Sequence, residues 1–349
     1  MRERRKIVEL WRRGKAAALV TLVRIEGSSY RRVGARLLVT VDGEYAGTIS
    51  GGCLEAEVVR KAAWMTRAGA VVERYSTLFD DTAEIPYGLG CGGTVDLLVE
   101  PAGTPEFAAL MEALEASLRG EERRVVTCLP EGGLPLRRVV DEGDVEGVLE
   151  GVVEWIQAPQ RLYVFGAGDD AQPMVQMAAL LGWDVWVVDG RAKWARAERF
   201  PEAKQVIAAE SFGGLEGKGL AGLVIGARDA AVVMTHSYEQ DRVWLGELLE
   251  RGPRYLGLLG ARHRSALLVS ETAAKLGWSV ERVCGGLFAP VGLDLGGDGA
   301  EAIALAVIAE IQACCEGKLG ISQRMTSQMV AEQVAKGGAS RYLQAQCGL

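Results

Sequence analysis

Two of the seven cysteines stand where a thiol can do chemistry. Ser50-Gly51-Gly52-Cys53-Leu54-Glu55 closes a strand-like run and opens a helical one, and Gly88-Leu89-Gly90-Cys91-Gly92-Gly93 leads into another strand. A cysteine at a helix N-terminus has its pKa lowered toward the reactive thiolate. Flanking glycines remove steric cover and bare backbone N–H groups to a ligand. Two such loops in one half of the chain point to sulfur chemistry or anion binding. Cys53 and Cys91 are the candidate reactive thiols, and Ser50, Gly51, Gly52 and Gly92 the candidate cofactor-binding residues. The plainer alternative is that both thiols are small buried side chains, as free cysteines usually are. Cys128, Cys284, Cys314, Cys315 and Cys347 lack this setting. Upstream, Gly27-Ser28-Ser29-Tyr30-Arg31-Arg32-Val33-Gly34-Ala35-Arg36 gathers arginines with glycines and serines, which suits a phosphate cradle and equally a solvated basic loop.

A third constellation lies in the second half. Leu162-Tyr163-Val164-Phe165 reads as a short buried strand, and Gly166-Ala167-Gly168-Asp169-Asp170-Ala171 follows it into a helix. This fits the G-x-G-x-x-G/A turn: Gly166 for the tight bend, Gly168 for close approach of a phosphate, Ala171 for close helix–strand packing. The helix start adds free N–H groups and positive dipole. After a second strand, Val185 to Val188, comes Asp189, placed as a ribose contact would be, with Arg191 close by for a 2′-phosphate. Asp169 and Asp170 set two carboxylates at the anion seat, where they would repel a pyrophosphate or cap the helix. Such a fold is not by itself evidence of NAD use.

Three later loops belong to the same sheet edge. Thr235-His236 follows a strand, with Asp241 positioned to orient the imidazole or cap the next helix. Gly260-Ala261-Arg262-His263-Arg264 opens a helix, an anion-friendly arrangement. Pro290-Val291-Gly292-Leu293-Asp294-Leu295-Gly296-Gly297 leads into another, with Glu301 in its first turn. Each alone reads as a turn or cap. Their convergence on one edge makes His236 and Arg262 candidate ligand contacts.

The elements that must carry these loops fall into two styles. Ile7, Val8, Leu10 and Trp11 predict a first helix, and Ala17–Ile25, Arg36–Val41 and Glu44–Ile49 predict strands, the last two joined by an Asp42-Gly43 turn. Leu54–Ala68 and Phe107–Leu118 predict helices, and Val71–Ser76 and Thr94–Glu100 strands. This is a mixed α+β domain, assigned to residues 1–155. Beyond the interruption at Gln157-Ala158-Pro159-Gln160, apolar strands alternate with helical patterns at Leu162–Phe165, Val185–Val188, Val206–Ala208, Gly222–Ile225, Ala231–Met234 and Tyr255–Leu259. That predicts a Rossmann-like, doubly wound parallel sheet over residues 160–317, closed by an apolar helix at Ala300–Cys315. Residues 318–349 read as a more polar, helical tail.

Bulk properties set the frame. The 349 residues are enough for two domains, and 49% hydrophobic with 24% charged residues supports a real core. A net charge of −7 argues against general nucleic-acid binding. No apolar run is long enough for a membrane span. The basic start and Ala16–Val23 mimic a secretory signal, but that stretch is short and runs into Arg24 and Glu26. An odd number of scattered cysteines fits reduced thiols and a cytoplasmic location. His236 and His263 are the two histidines, and they are not spaced for zinc.

Taken in order, these segments resemble the XdhC/CoxI family, the maturation factors of xanthine and carbon monoxide dehydrogenases. The resemblance rests on E-G-S-S, G-A-R and S-G-G-C-L-E between Val23 and Glu55, on G-C-G-G at Cys91, and on Leu162–Arg191. It continues through Thr235-His236, G-L-L-G-A-R and P-V-G-L-D-L-G. Asp169 and Tyr30 stand where the family usually carries histidine and proline. What the resemblance implies is an assisting role rather than a turnover enzyme. Such a protein binds the molybdenum cofactor (molybdopterin), supports its sulfuration with a cysteine desulfurase, and delivers it to a molybdenum hydroxylase apoenzyme. Cys53 and Cys91 would then contact molybdenum or relay sulfur, in a cleft shared by the two domains. A homodimer is expected on the same grounds. The alternative from another class is an NAD(P)-dependent oxidoreductase with Asp189 on the ribose, and a third is an interaction scaffold that keeps the fold without the ligand.

Overall fold

Period-two apolar patterning and helical amphipathicity assemble the first domain as a two-sided antiparallel sheet. The computed structural model describes residues 1–52, 54–76, 93–129, 136–140, 151–209, 220 and 222–320. β1 (Ala16–Glu26) lies at the centre of a sheet in which β2 (Arg36–Thr40) and β3 (Tyr45–Gly47) flank one side and β5 (Thr94–Pro101) and β4 (Val71–Ser76) the other. Along β1, Leu19 points into a core with α1 (Arg2–Arg12) and α3 (Pro105–Leu118), whereas Ala18, Val20 and Leu22 point to the face covered by α2 (Glu55–Met65). Side chains alternate across a strand, so both faces of this one are buried.

A second antiparallel sheet departs from the sequence expectations. β6 (Arg123–Cys128) pairs with β7 (Leu136–Val140) and with β8 (Gly151–Ile156). Arg137 of β7 crosses to β5, where it is buried in an ion pair with Glu100 and also donates to Thr21 Oγ1 and Thr127 Oγ1.

The second domain is the predicted parallel sheet. Its order is β11 (Gln205–Ala208), β10 (Asp184–Asp189), β9 (Arg161–Phe165), β12 (Ala230–Val233), β13 (Tyr255–Leu258). All four pairings are parallel. The chain order reverses between β9 and β12, which is where open α/β sheets form a ligand crevice at their carboxyl ends. α4 (Ala171–Leu180) and α8 (Ala300–Cys315) cover Leu162, Val164, Val185 and Val187 on one face. α5 (Tyr238–Arg251) and α6 (Arg262–Leu276), with the short α7 (Val280–Gly285), cover Tyr163, Phe165 and Val188 on the other. The expected strand at Gly222–Ile225 does not form. β12 already has β9 and β13 on its two edges. The segment instead packs Ile225 against the second core, and two of its carbonyls are taken by side chains: Tyr163 Oη donates to Val224 O and Arg251 to Leu223 O.

Candidate functional site

Close approach explains the glycine turn. Gly166 has φ +130°, and a Cβ there would fall 2.4 Å from Met234 O, so the backbone just past β12 leaves no room for a side chain. Asp189, fully buried at the end of β10, fixes the next residue: it accepts from Ala167 N at 2.8 Å. It also accepts from Arg191 N at 2.8 Å, Arg191 Nε at 2.9 Å and Arg191 Nη2 at 2.8 Å. Burial pushes this carboxyl up, but the Arg191 guanidinium and the Ala167 and Arg191 N–H groups outweigh it and hold it below the ordinary aspartate value. Both carboxylate oxygens are engaged inside the chain. The ribose contact expected of Asp189 would require Arg191 to leave, and Arg191, expected to meet a 2′-phosphate, is spent on Asp189 and Thr235 O. Ala171 is fully buried and packs as a small helix–strand contact.

The two acidic residues of the turn do not cap α4; no side-chain cap bond is made there. Asp170 bends back over Gly168, its Oδ1 lying 2.4 Å from where a Cβ would stand, and thus covers the spot where a phosphate would approach. Its other oxygen meets His236 Nε2 at 2.8 Å. His236 holds a left-handed φ of +62°, a conformation disfavoured for non-glycine residues and frequent at functional sites. So an imidazole does reach the turn, carried across the crevice from the end of β12 rather than by position 169. Asp169 pairs with Arg199 at 2.7 Å, and that guanidinium sits 4.7 Å over the Trp194 ring.

Asp241 neither orients His236 nor caps α5. It is fully buried and accepts from Thr235 N at 3.2 Å, Thr235 Oγ1 at 2.6 Å and Arg264 Nη2 at 2.5 Å, tying the Thr235 turn to the start of α6. The Pro290 loop is anchored by Glu310, which accepts from Gly292 N and from Tyr255 Oη. Arg262 is exposed on the first turn of α6.

In the first domain, strand register brings three loops to one edge. Glu26 pairs with Thr94, Ser76 with Thr94, Thr21 with Arg36 and Leu37 with Gly47. The loop after β1 and the approach to β5 therefore leave the sheet together, and β3, whose Gly47 stands level with Val20, runs toward the same end. Gly93 packs so tightly against the loop after β1 that a Cβ would lie 2.1 Å from Ser28 O, and the Tyr30 ring lies 3.2 Å from a Cβ on Gly51. Glu55 organises the Ser50–Gly52 turn: it accepts from Ile49 N at 3.0 Å, Ser50 N at 2.9 Å, Ser50 Oγ at 2.5 Å and Gly52 N at 3.1 Å. Burial opposes its charge, but the Ser50 hydroxyl and the backbone donors prevail and keep its pKa below 4.5. The anion seat of this loop is thus filled by the protein's own carboxylate. Cys53, Cys91 and Gly92 lie outside the described residues.

The arginine loop is not an open phosphate cradle. Arg31 is paired with Glu3 at 2.5 Å, and Arg36 is buried in a bidentate pair with Glu154. Of the three, Arg32 alone is exposed without an ion pair among the described residues.

The thiols expected to line a cleft shared by the two domains, Cys53 and Cys91, lie outside the described residues. Among the described residues, ion pairs to the first domain fall at the amino ends of Rossmann strands, Arg5 with Asp184 at 2.7 Å and Arg228 with Glu122, and Arg4 donates to Gln157 O in the connecting segment. A cleft of about 430 Å³ lies there, lined by Trp155, Gln160, Trp186, Lys204 and Arg254 among others. The glycine turn and His236 stand at the opposite edge, a five-residue strand away, or about 16 Å at roughly 3.3 Å per residue.

Sequence reasoning missed Glu55, the Asp170–His236 pair and the Arg199–Trp194 brace. Glu55 had a readable signal, a glutamate three residues after a turn glycine, as in a capping box. The other two join residues far apart in sequence.

An α+β domain with glycine–cysteine loops, followed by a Rossmann domain with a self-occupied phosphate turn, defines the class. A model described as the XdhC and CoxI family matches residues 10–76, and one described as the XdhC Rossmann domain matches residues 162–311. The chain belongs to the XdhC and CoxI family. It is 29% identical over 318 residues to a protein of Bacillus subtilis described as a probable subunit of xanthine dehydrogenase, spanning 84% of this chain and 92% of that protein. It is 29% identical over 314 residues to the molybdenum cofactor insertion chaperone PaoD of Escherichia coli, spanning 87% and 85%. A crystal structure of a xanthine dehydrogenase from Bacillus halodurans superposes with a TM-score of 0.77 at 25% identity, covering 94% of this chain and 99% of that one.

Proposed function

We propose that this chain is a cytoplasmic maturation chaperone that holds the molybdenum cofactor, supports its sulfuration with a cysteine desulfurase, and hands it to a xanthine or carbon monoxide dehydrogenase-type apoenzyme, acting as a homodimer. The cofactor is cargo: a pterin bearing a dithiolene and a phosphate, which needs shelter rather than turnover. The relative named as a molybdenum cofactor insertion chaperone supports this reading.

The observation that carries it is the self-occupied dinucleotide fingerprint. Asp189 is saturated by Ala167 and Arg191, and Asp170 covers Gly168. A nicotinamide enzyme would need both positions open to its coenzyme. The crevice keeps Arg262 exposed at a neighbouring helix start, a group suited to an anionic guest, beside His236, which Asp170 holds at the strand reversal. Cys53 and Cys91 are the proposed thiols for sulfur relay or molybdenum contact.

The test is activation of an apo-hydroxylase. The chain is loaded with cofactor released from a molybdenum enzyme, desalted, and mixed with apoenzyme. Wild type should restore hydroxylase activity, and Cys53→Ala and Cys91→Ala should transfer cofactor that lacks the terminal sulfur. Failure of wild type to activate, together with saturable NADH binding, would favour the oxidoreductase alternative.

A further inference from the structure

The helix starts at the carboxyl edge of the Rossmann sheet differ in what already occupies them. At α4 the Ala167 amide is spent on Asp189 and Asp170 covers Gly168. α5 carries Glu239 and Asp241 in its first turn. α6 carries no acidic residue in its first turn, and its N-cap, Ala261, makes no side-chain cap bond. The first backbone amide of α6 with a partner among the described residues is that of Ser265, which donates to Ala261 O. The N–H groups of Arg262, His263 and Arg264 are left pointing out of the helix end.

A second, independent feature marks the same place. Ser265 is 4% exposed, and its Oγ has no hydrogen-bond partner. A buried hydroxyl left unsatisfied is costly, and a ligand oxygen at the helix start would satisfy it. Side chains on a helix tilt toward its N-terminus, and this Oγ lies 3.8 Å from the Cβ position of Gly260, with Arg264 Nη1 at 3.2 Å from the same point. The Arg264 side chain lies over Gly260 and donates to Leu259 O at 3.4 Å, and its guanidinium, the Ser265 hydroxyl and the three amides gather at the start of α6. Arg264 is balanced by buried Asp241, so the net positive charge there comes from exposed Arg262.

We propose that the N-terminus of α6 is a phosphate-monoester seat, in which the amides of Arg262, His263 and Arg264, the Ser265 hydroxyl and the Arg264 guanidinium donate to phosphate oxygens while Arg262 supplies charge. This deepens the chaperone reading, whose cargo ends in a phosphate, and it moves the phosphate off the glycine turn, past His236, to the loop after β13. The separation is two strand spacings, about 10 Å, which leaves the Asp170–His236 pair beside the body of the guest.

The test titrates inorganic phosphate and glycerol 3-phosphate into the full chain by calorimetry. Wild type should bind both saturably. Arg262→Glu and Ser265→Ala should each weaken binding about tenfold or more, whereas Arg67→Glu, an equal charge change on the exposed surface of the first domain, should not. Absence of saturation with wild type overturns the proposal, as does loss of binding in Gly168→Ala with Arg262→Glu and Ser265→Ala unaffected. If phosphate binds through Arg262 and Ser265 but the chain takes up no molybdenum, the seat stands and the chaperone reading falls. If molybdenum is retained equally by wild type and both seat variants, the seat falls and the chaperone reading stands.

Discussion

Glu55→Gln removes one charge and almost no volume from the Ser50–Gly52 turn, and its cost can be worked from the bonds. The wild-type carboxylate accepts at both oxygens, Oε1 from Ile49 N and Ser50 N, and Oε2 from Ser50 Oγ and Gly52 N. A glutamine can accept on one side alone. With its oxygen toward Ile49 and Ser50, its NH₂ faces the Gly52 N–H, donor against donor, and the Ser50 hydroxyl must turn to accept. The residue is 3% exposed, so water does not repair the loss. The expected cost is about 2 kcal/mol, within the range for a charge-assisted bond lost in a buried setting. Amide hydrogen exchange reads it locally: the Gly52 N–H should exchange about thirty-fold faster. The pH dependence has a definite sign. A carboxyl whose folded pKa is held below the ordinary 4.5 stabilises fully above that value, and its contribution is lost as pH falls through the folded pKa. Wild type should therefore lose turn protection below about pH 4.5, and Glu55→Gln should be flat there. Unchanged exchange at Gly52 in the variant would refute the claim that Glu55 holds the turn.

Other outcomes follow from single contacts. Gly93→Ala places a methyl 2.1 Å from Ser28 O, a backbone atom that cannot swing aside, and should cost about 1–3 kcal/mol in urea unfolding. Arg191→Lys leaves buried Asp189 without its two-pronged partner; since Arg191 is about a third exposed, the expected loss is reduced to about 2 kcal/mol, read by thermal unfolding. Arg137→Ala should cost more, about 3–5 kcal/mol, because Glu100 would keep an unpaired buried charge, while Arg137→Met with Glu100→Leu should recover most of the loss in a double-mutant cycle. His236→Gly releases a left-handed backbone and should leave stability within about 1 kcal/mol of wild type, on the stabilising side, while cofactor retention falls.

The Rossmann half was legible because its signals are local. Strand, glycine turn, helix and a second strand ending in an acidic residue occupy thirty consecutive positions, and apolar runs bounded by turn residues gave β9, β10, β11, β12 and β13 close to their ends. The three-stranded sheet of β6, β7 and β8 was not legible. β8 lies in an acidic, glycine-rich stretch, and β6 draws its partners from residues beyond the next loop, so nothing in a short window announces the pairing. Gly222–Ile225 looks like a strand because it is apolar, yet apolarity there serves burial of Ile225 against the second core and not pairing. At the site, Gly166, Gly168 and Asp189 were found by spacing, but their use was not. That Asp170 would fill the seat over Gly168 and reach His236, 66 residues away, depends on which loops meet at the crevice. The same holds for Arg31 and Arg36, which read as a cradle until Glu3 and Glu154 are seen beside them.

The most direct measurement is the molybdenum content of the full chain purified from cells that make the cofactor, set against cells that cannot make molybdopterin. A cofactor chaperone should carry stoichiometric molybdenum from the first source and background metal from the second, with the bound fraction falling in Arg262→Glu and His236→Gly. Background molybdenum from both sources, with saturable NADH binding that Asp189→Ala abolishes, would contradict it.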